Sequence, residues 1–85
     1  MALFLISYDL EKPDQNRNAV HKLLDSWYAD RVLESTWMLR THLTANEMRD
    51  ALIGAEGPMD AKDRLVVVKV AAASTYGTLI DPRVI

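Results

Sequence analysis

The sequence predicts an α+β domain in which four strands and two helices share a single core. Three runs of large or β-branched apolar residues, at 2–8, 31–41 and 64–72, have the composition of strands. Two stretches between them repeat apolar residues at the spacing of one helix face. With 85 residues, the chain has room for one small domain with little stability to spare.

The first strand covers residues 2–8 and ends at Asp9, and residues 11–13 then mark a turn into a helix. Because side chains alternate along a strand, Asp9 shares a face with Leu5, and Tyr8 lies on the other face. A carboxylate at this position is held on a rigid element near the sheet rim, where water and ligands can reach it. Alternatively, Asp9 begins the turn and helps to cap the following helix.

The first helix is predicted from Asp14 to Tyr28, and Pro13 suits its first turn. His21 falls on the flank of the apolar stripe of this helix and is expected to be solvated. The stripe consists of Ala19, Val20, Leu23, Leu24 and Trp27.

Residues 31–41, RVLESTWMLRT, make too long a run for one average strand. They predict two strands joined by a tight bend or bulge near residues 34–36. We expect Trp37 in this run, like Trp27 in the first helix, to be a core or interface residue rather than a platform for stacked bases.

The second helix is predicted to begin after Thr44, because Thr44 and Glu47 have the spacing of a capping box. Gly54 or Gly57 ends this helix. The loop at 56–63 that follows is acidic, and we expect it to be a solvated connector.

The last strand is predicted at residues 64–72, RLVVVKVAA, and a tail at 73–85 follows it. The tail contains apolar residues that a domain at 1–72 has no obvious need for. Such a segment often docks onto an edge strand of its own chain or of a partner. We therefore expect the tail to add a strand at the sheet edge or to exchange between subunits.

The element order βαββαβ is that of a ferredoxin-like fold, in which both helices cover one face of an antiparallel sheet. If the helices cover Phe4 and Val66, the other face carries an apolar set. This set is Leu3, Leu5, Leu65 and Val67. An uncovered apolar face on so small a protein predicts a partner, and a homodimer is the commonest arrangement that buries such a face.

The composition excludes several classes of site. The chain has no cysteine, which rules out disulfides, thiolate metal sites and thiol catalysis and fits a reducing, cytoplasmic location. No signal peptide is recognisable, and the apolar runs are too short to span a membrane. The formal net charge of −2 does not favour binding of nucleic acid unless basic residues cluster locally.

Two segments in the first half of the chain carry a resemblance to a known family. Residues 4–10, FLISYDL, form an apolar strand that ends in Tyr-Asp, and residues 31–37, RVLESTW, lead through Leu43 and Thr44 into a helix. In this order and spacing they resemble the small CRISPR-associated adaptation endonuclease family and the related virulence-associated protein D toxins. The resemblance implies a ferredoxin-like fold and a two-fold dimer.

The resemblance also implies a set of site residues. Asp9 matches the metal-associated acid of the family, so two symmetry-related Asp9 side chains would hold Mg²⁺ or Mn²⁺ between them. Tyr8 or Ser35 would orient the substrate or a water molecule, and Arg17 and Arg31 would contact phosphate. The implied activity is that of a metal-dependent endonuclease, with RNA as the first substrate to test and DNA as the second.

Departures from the family pattern keep a second hypothesis open. The first helix of the family begins with a run of basic residues, whereas residues 14–18 here include one, Arg17. Leu33 replaces the usual Gln, and Met38 stands where an acid often follows the aromatic residue. The alternative is a non-catalytic dimeric scaffold that binds a protein partner. By resemblance, this partner would be an integrase-like protein or an antitoxin.

Overall fold

The structure, a computed structural model, describes residues 1–74, 76–80 and 85. The elements follow the predicted order of strand, helix, two strands, helix and strand. Their bounds are β1 at Ala2–Asp9, α1 at Pro13–Ser26, β2 at Asp30–Leu33, β3 at Thr36–Thr41, α2 at Ala45–Ile53 and β4 at Arg64–Lys69. In these ranges no helix has the length and apolar character needed to cross a membrane.

The four strands form one antiparallel sheet in the order β2-β3-β1-β4. Since β3 is antiparallel to both β1 and β2, these two strands are parallel to each other and α1 connects them around β3. By the same reasoning, α2 connects the parallel strands β3 and β4 around β1. The molecule is therefore an α+β protein with the predicted ferredoxin-like fold, made of two interleaved split βαβ units.

The core fills the space between both helices and one face of the sheet. Ile6 of β1, Leu39 of β3, Leu24 of α1 and the α2 residues Met48 and Leu52 are fully buried there and belong to one cluster. Burial of each such side chain contributes about 1.5–3 kcal/mol. The helices lie on the same side of the sheet, as predicted, and we call the opposite side the open face.

Local sequence signals set the bounds of the second half of the fold. β2 and β3 are separate strands joined at residues 34–35, and their pairing shifts register between Arg31 and Leu33, which confirms the predicted bend or bulge. At the start of α2, Thr44 Oγ1 accepts a hydrogen bond from the Glu47 amide at 3.1 Å. Glu47 Oε1 accepts one from the Thr44 amide at 2.9 Å. The predicted capping box is confirmed.

α1 ends at Ser26, before the predicted Tyr28, because the chain forms a Schellman motif there. Tyr28 is left-handed with φ 58°, and its amide donates to Asp25 O at 2.9 Å while the Ala29 amide donates to Leu24 O at 3.1 Å. Holding a tyrosine in this left-handed conformation lowers the stability of the folded state by about 1–2 kcal/mol. The paired hydrogen bonds and the burial of Ala29 offset this strain and direct the chain into β2.

The prediction that Leu65 and Val67 lie on the open face is wrong. β4 pairs with β1 so that Leu65 is opposite Tyr8 and Val67 is opposite Ile6, and residues directly opposite each other share a face. Leu65 and Val67 therefore pack against the core, whereas Val66 points to the open face. A register shift of one residue reverses this assignment, and the pattern within β4 alone does not set the register. β4 also ends at Lys69, earlier than predicted.

The C-terminal tail lies partly over the open face. The Leu79 amide donates to Val32 O of the edge strand β2 at 2.7 Å, and a groove of about 630 Å³ separates the tail from Leu5 and Val68. Residues 70–74 and 76–80 form no strand. Residues 75 and 81–84 lie outside the described part of the chain, so the extra C-terminal strand, its exchange between subunits and the division at residue 72 stay predictions.

The acidic loop that follows α2 holds one buried carboxylate. Asp63 is only 6% exposed and accepts hydrogen bonds from the amides of Glu11 and Asp60, both at 2.8 Å, and from Asn16 Nδ2 at 3.4 Å. Asn16 also donates to Asp60 at 3.0 Å. The prediction of a solvated connector is therefore wrong for Asp63, which joins this loop to the first turn of α1.

The hydrogen bonds to Asp63 also set its protonation. Burial by itself raises the pKa of this carboxyl group, but hydrogen bonds from the Glu11 and Asp60 amides and from Asn16 outweigh it, and the pKa lies below the usual range. A carboxyl group whose pKa falls on folding stabilises the folded state above its unfolded pKa, near about 4. That stabilisation is lost as the pH falls through the lower, folded value.

We expect Asp63→Ala to lower the free energy of unfolding by about 1–3 kcal/mol at neutral pH, because two amides lose their acceptor. The difference from wild type should begin to shrink below about pH 4, where Asp63 takes up a proton in the unfolded chain, and should be lost as the pH falls through the lower pKa of the folded state. Urea unfolding at neutral and acidic pH measures both effects. Glu56→Ala, at an exposed acid of the same loop, is the matched control. Equal unfolding free energies for wild type and Asp63→Ala at neutral pH would contradict this role.

Candidate active site

A cleft of about 230 Å³ lies where β1 ends, between the start of α1 and the turn that joins β2 to β3. We call it the β1-end cleft. Pro13, Arg17 and His21 line it from α1, and their spacing of four residues places them in one row on the helix. The remaining lining residues are Tyr8, Asp9, Leu10, Glu34 and Ser35.

The cleft brings together four of the five predicted site residues. Tyr8 and Asp9 come from the end of β1, Arg17 from α1, and Ser35 from the β2–β3 turn. Arg31 does not line the cleft, but it lies opposite Trp37 in the sheet on the helix side, where its charge acts on Tyr8. The arrangement is therefore an acid, two hydroxyl groups and a guanidinium, with a second guanidinium nearby.

Asp9 is exposed at the rim of the sheet, opposite Arg64 of β4. The alternative interpretation of Asp9, as a cap for α1, has no support in the structure. The N-cap residue of α1 is Lys12, and no side-chain hydrogen bond caps the helix. Among the residues described, the Asp9 carboxylate takes part in no hydrogen bond or ion pair, so it is free to bind a ligand.

Tyr8 is held in place by the core. It is 5% exposed, and its hydroxyl oxygen accepts a hydrogen bond from Trp37 Nε1 at 3.1 Å. Burial raises the pKa of Tyr8, and the hydrogen bond from Trp37 and the charges of Arg31 and Arg17 reduce this effect without cancelling it. The hydroxyl group therefore keeps its proton at neutral pH, and it can donate a hydrogen bond to a bound ligand.

His21 is a cleft residue that the sequence pattern did not indicate. Its ring meets Trp37 edge to face, with centroids 5.1 Å apart, and its Nε2 is buried without a hydrogen-bond partner among the described residues. Burial, followed by the charges of Arg31 and Arg17, lowers the pKa of His21, while Asp25 opposes the shift. The prediction of a solvated histidine is wrong. The spacing of four residues from Arg17 was the signal that could have placed it here.

The tryptophans are structural, as predicted. Trp37 is 4% exposed and belongs to the core, and Trp27 is half-buried against it. The burial of Trp37 leaves no open ring face on which a nucleotide base could stack.

Among the described residues, no group of three or more acidic or histidine side chains is close enough to hold a metal ion together. Two acids, Asp9 and Glu34, line the β1-end cleft. The site that the resemblance implies combines Asp9 of two subunits.

No family model matches this chain, and no curated protein is significantly similar to it. Any assignment of a role depends on the geometry of the cleft together with the residues that carry the resemblance.

We expect Asp9→Asn to change the free energy of unfolding by no more than about 0.5 kcal/mol, because the carboxylate is exposed and has no partner among the described residues. Tyr8→Phe should lower it by about 1–3 kcal/mol, because the buried Trp37 indole N–H loses its acceptor. Urea unfolding of the two variants beside wild type provides the comparison. If Asp9→Asn is as destabilising as Tyr8→Phe, Asp9 is a structural residue and its assignment to the site is wrong.

Proposed function

We propose that this protein is a homodimeric, metal-dependent endoribonuclease that acts at the β1-end cleft in the cytoplasm. One observation carries the proposal. Tyr8, Asp9, Arg17 and Ser35, which come from three separate segments, line the same cleft. A structural role alone does not explain why an unpartnered acid and a guanidinium meet at the rim of the sheet.

The chemistry of the lining residues supports a phosphodiester substrate. Arg17 is exposed at the cleft and supplies a guanidinium for the phosphate, and Arg31 adds positive charge beside Tyr8. The neutral Tyr8 hydroxyl group and the Ser35 side chain supply hydrogen bonds that orient the substrate. Glu34 also lines the cleft and opposes the arginines, so binding is expected to be modest and to weaken with salt.

The residues present fit a divalent cation when two chains combine. Mg²⁺ and Mn²⁺ bind through one or two carboxylates and retain several waters, and the exposed Asp9 carboxylate offers such a ligand on each chain. A bound ion would lower the pKa of a water molecule and offset the charge that develops on the phosphodiester.

The open face supports the proposed homodimer. Val66 and Val68 are 49% and 42% exposed on it, and β4, which carries them, is an edge strand. Exposed apolar residues on an edge strand favour association with another protein chain.

The open face also supports the second candidate function, a dimeric scaffold for a protein partner. The net charge of −2 suits a protein partner better than a polynucleotide. By resemblance, the partner would be an integrase-like protein or an antitoxin. This candidate differs from the first in requiring no metal and no cleavage.

We expect cleavage of single-stranded RNA by the purified protein to require Mg²⁺ or Mn²⁺, to stop with a chelator, and to fall by orders of magnitude in Asp9→Asn. The physical reason is that Asp9 is the carboxylate that the resemblance assigns to the ion, and the amide of asparagine would bind the ion more weakly. The assay compares single-stranded RNA, duplex RNA and duplex DNA, with and without metal and at two salt concentrations. Asp14→Asn is the matched control, because Asp14 is an exposed acid of α1 outside the cleft lining.

Equal cleavage by wild type and Asp9→Asn would indicate a contaminant or another site. If neither protein cleaves RNA or DNA and neither binds metal, the endoribonuclease proposal is wrong and the scaffold is favoured.

We expect the protein to sediment at twice the chain mass at micromolar concentration, and Val68→Asp to produce a monomer, because the new charge would be buried in the interface. Analytical ultracentrifugation measures the mass, and circular dichroism checks that the variant folds. Ala19→Asp places the same charge on the exposed side of α1 and should remain dimeric. A wild-type monomer would remove both the dimer and the two-chain metal site.

A further inference from the structure

His21 lies beside the groups that are proposed to bind phosphate. It lies four residues after Arg17 on α1, one helical turn further along the row of side chains that lines the β1-end cleft. Its imidazole is therefore on the same wall of the cleft as the guanidinium that would contact a phosphodiester.

The orientation of the ring is fixed by the core. Trp37 meets the imidazole edge to face. Trp37 is itself buried, and its Nε1 donates a hydrogen bond to the Tyr8 hydroxyl oxygen. A general base requires such a fixed position, because proton transfer depends on the distance and alignment of the two heavy atoms.

The two ring nitrogens of His21 have different surroundings. Nε2 is buried without a hydrogen-bond partner among the described residues, so a substrate does not reach it. Nδ1 is neither buried nor hydrogen-bonded among those residues, so it is the nitrogen of this ring that is open to a ligand.

Burial and the neighbouring charges keep the ring of His21 unprotonated at neutral pH. Burial is the largest cause of the lowered pKa, Arg31 on β2 and Arg17 on the same helix add to it, and Asp25 on α1 opposes it. Tyr8 on β1 is neutral, Trp37 on β3 carries no charge, and Glu34 lines the cleft at the turn. An unprotonated imidazole is the form that accepts a proton.

We propose that His21 is the general base that takes the proton of a ribose 2′-hydroxyl group, so that the substrate is RNA and the nucleophile belongs to the RNA itself. The 2′-oxygen forms a bond to phosphorus, and the bond from phosphorus to the 5′-oxygen of the next nucleotide breaks. The 2′-hydroxyl proton moves to Nδ1 of His21, and the leaving 5′-oxygen takes a proton from water. The products carry a 2′,3′-cyclic phosphate and a 5′-hydroxyl group.

This inference rests on the proposed endoribonuclease function and makes it more specific. Arg17 retains its role at the phosphodiester, and the ribose hydroxyl group takes the place of water as the nucleophile. An ion at Asp9 would then offset the charge that develops on the phosphodiester and would not activate the attacking group. DNA, which lacks this group, should bind without being cleaved.

The test uses the full chain and a single-stranded RNA oligonucleotide, with DNA and 2′-O-methyl RNA of the same sequence as uncleavable analogues. Mass spectrometry identifies the product ends. The expected products from RNA end in 2′,3′-cyclic phosphate and 5′-hydroxyl groups, and neither analogue is cleaved. His21→Gln should reduce the rate by about 10²–10⁴-fold and leave binding of 2′-O-methyl RNA unchanged. Lys22→Gln, at the exposed neighbour, should cleave as wild type does.

The possible failures are distinguishable. Products with 3′-hydroxyl and 5′-phosphate ends, or full activity in His21→Gln, would overturn the role of His21 and leave the endoribonuclease standing. Absence of cleavage by wild type would overturn both. The product ends and the two analogues, measured on wild type, test whether the ribose hydroxyl group is the nucleophile. Circular dichroism checks that His21→Gln folds. The pH profile of wild-type cleavage, which should rise as a histidine loses its proton, tests the base independently of the variant.

Discussion

The hydrogen bond from Trp37 Nε1 to the Tyr8 hydroxyl oxygen joins the core of this protein to its cleft. Both residues belong to central strands and are buried. Asp9 follows Tyr8 on the same strand, and His21 packs against Trp37, so the positions of Asp9 and His21 depend on this pair. This wall of the cleft is therefore built on two buried residues of central strands, and such packing holds side chains within a narrow range of geometry.

The second wall of the cleft depends on a contact distant in sequence. α1 has no side-chain cap at its first residue, and the carboxylate of Asp63 instead binds the Glu11 amide and Asn16. The start of the helix is thereby attached to the loop before β4, a strand that pairs with β1. Arg17 and His21 follow within two turns. A buried acid that lies outside the cleft thus sets the distance between the helix row and the strand end.

The local features of the fold could be predicted from the sequence, whereas those that depend on distant partners could not. The capping box at Thr44 and the bend between β2 and β3 follow from neighbouring residues. The face on which Leu65 lies depends on register with β1, which only the assembled sheet sets. The buried state of Asp63 depends on amides from another loop, and that of His21 depends on Trp37. Four of the residues that line the cleft are expected from the family resemblance, which marks the end of β1 and the β2–β3 turn. The resemblance contains no signal for His21.

Two features of the described residues cost folding free energy, and both lie in α1 or directly after it. The His21 Nε2 lacks a partner among the described residues, and Tyr28 holds a left-handed conformation at the helix end, each at a cost of about 1–2 kcal/mol. A domain of this size has few kcal/mol of net stability, so such costs persist only where something offsets them. The strain at Tyr28 directs the chain into β2, which carries Arg31 towards the cleft. The unpaired nitrogen of His21 is accompanied by the packing of its ring against Trp37, which fixes the orientation of the imidazole on the wall of the cleft. Because Nε2 is buried, any contact of this ring with a ligand belongs to Nδ1.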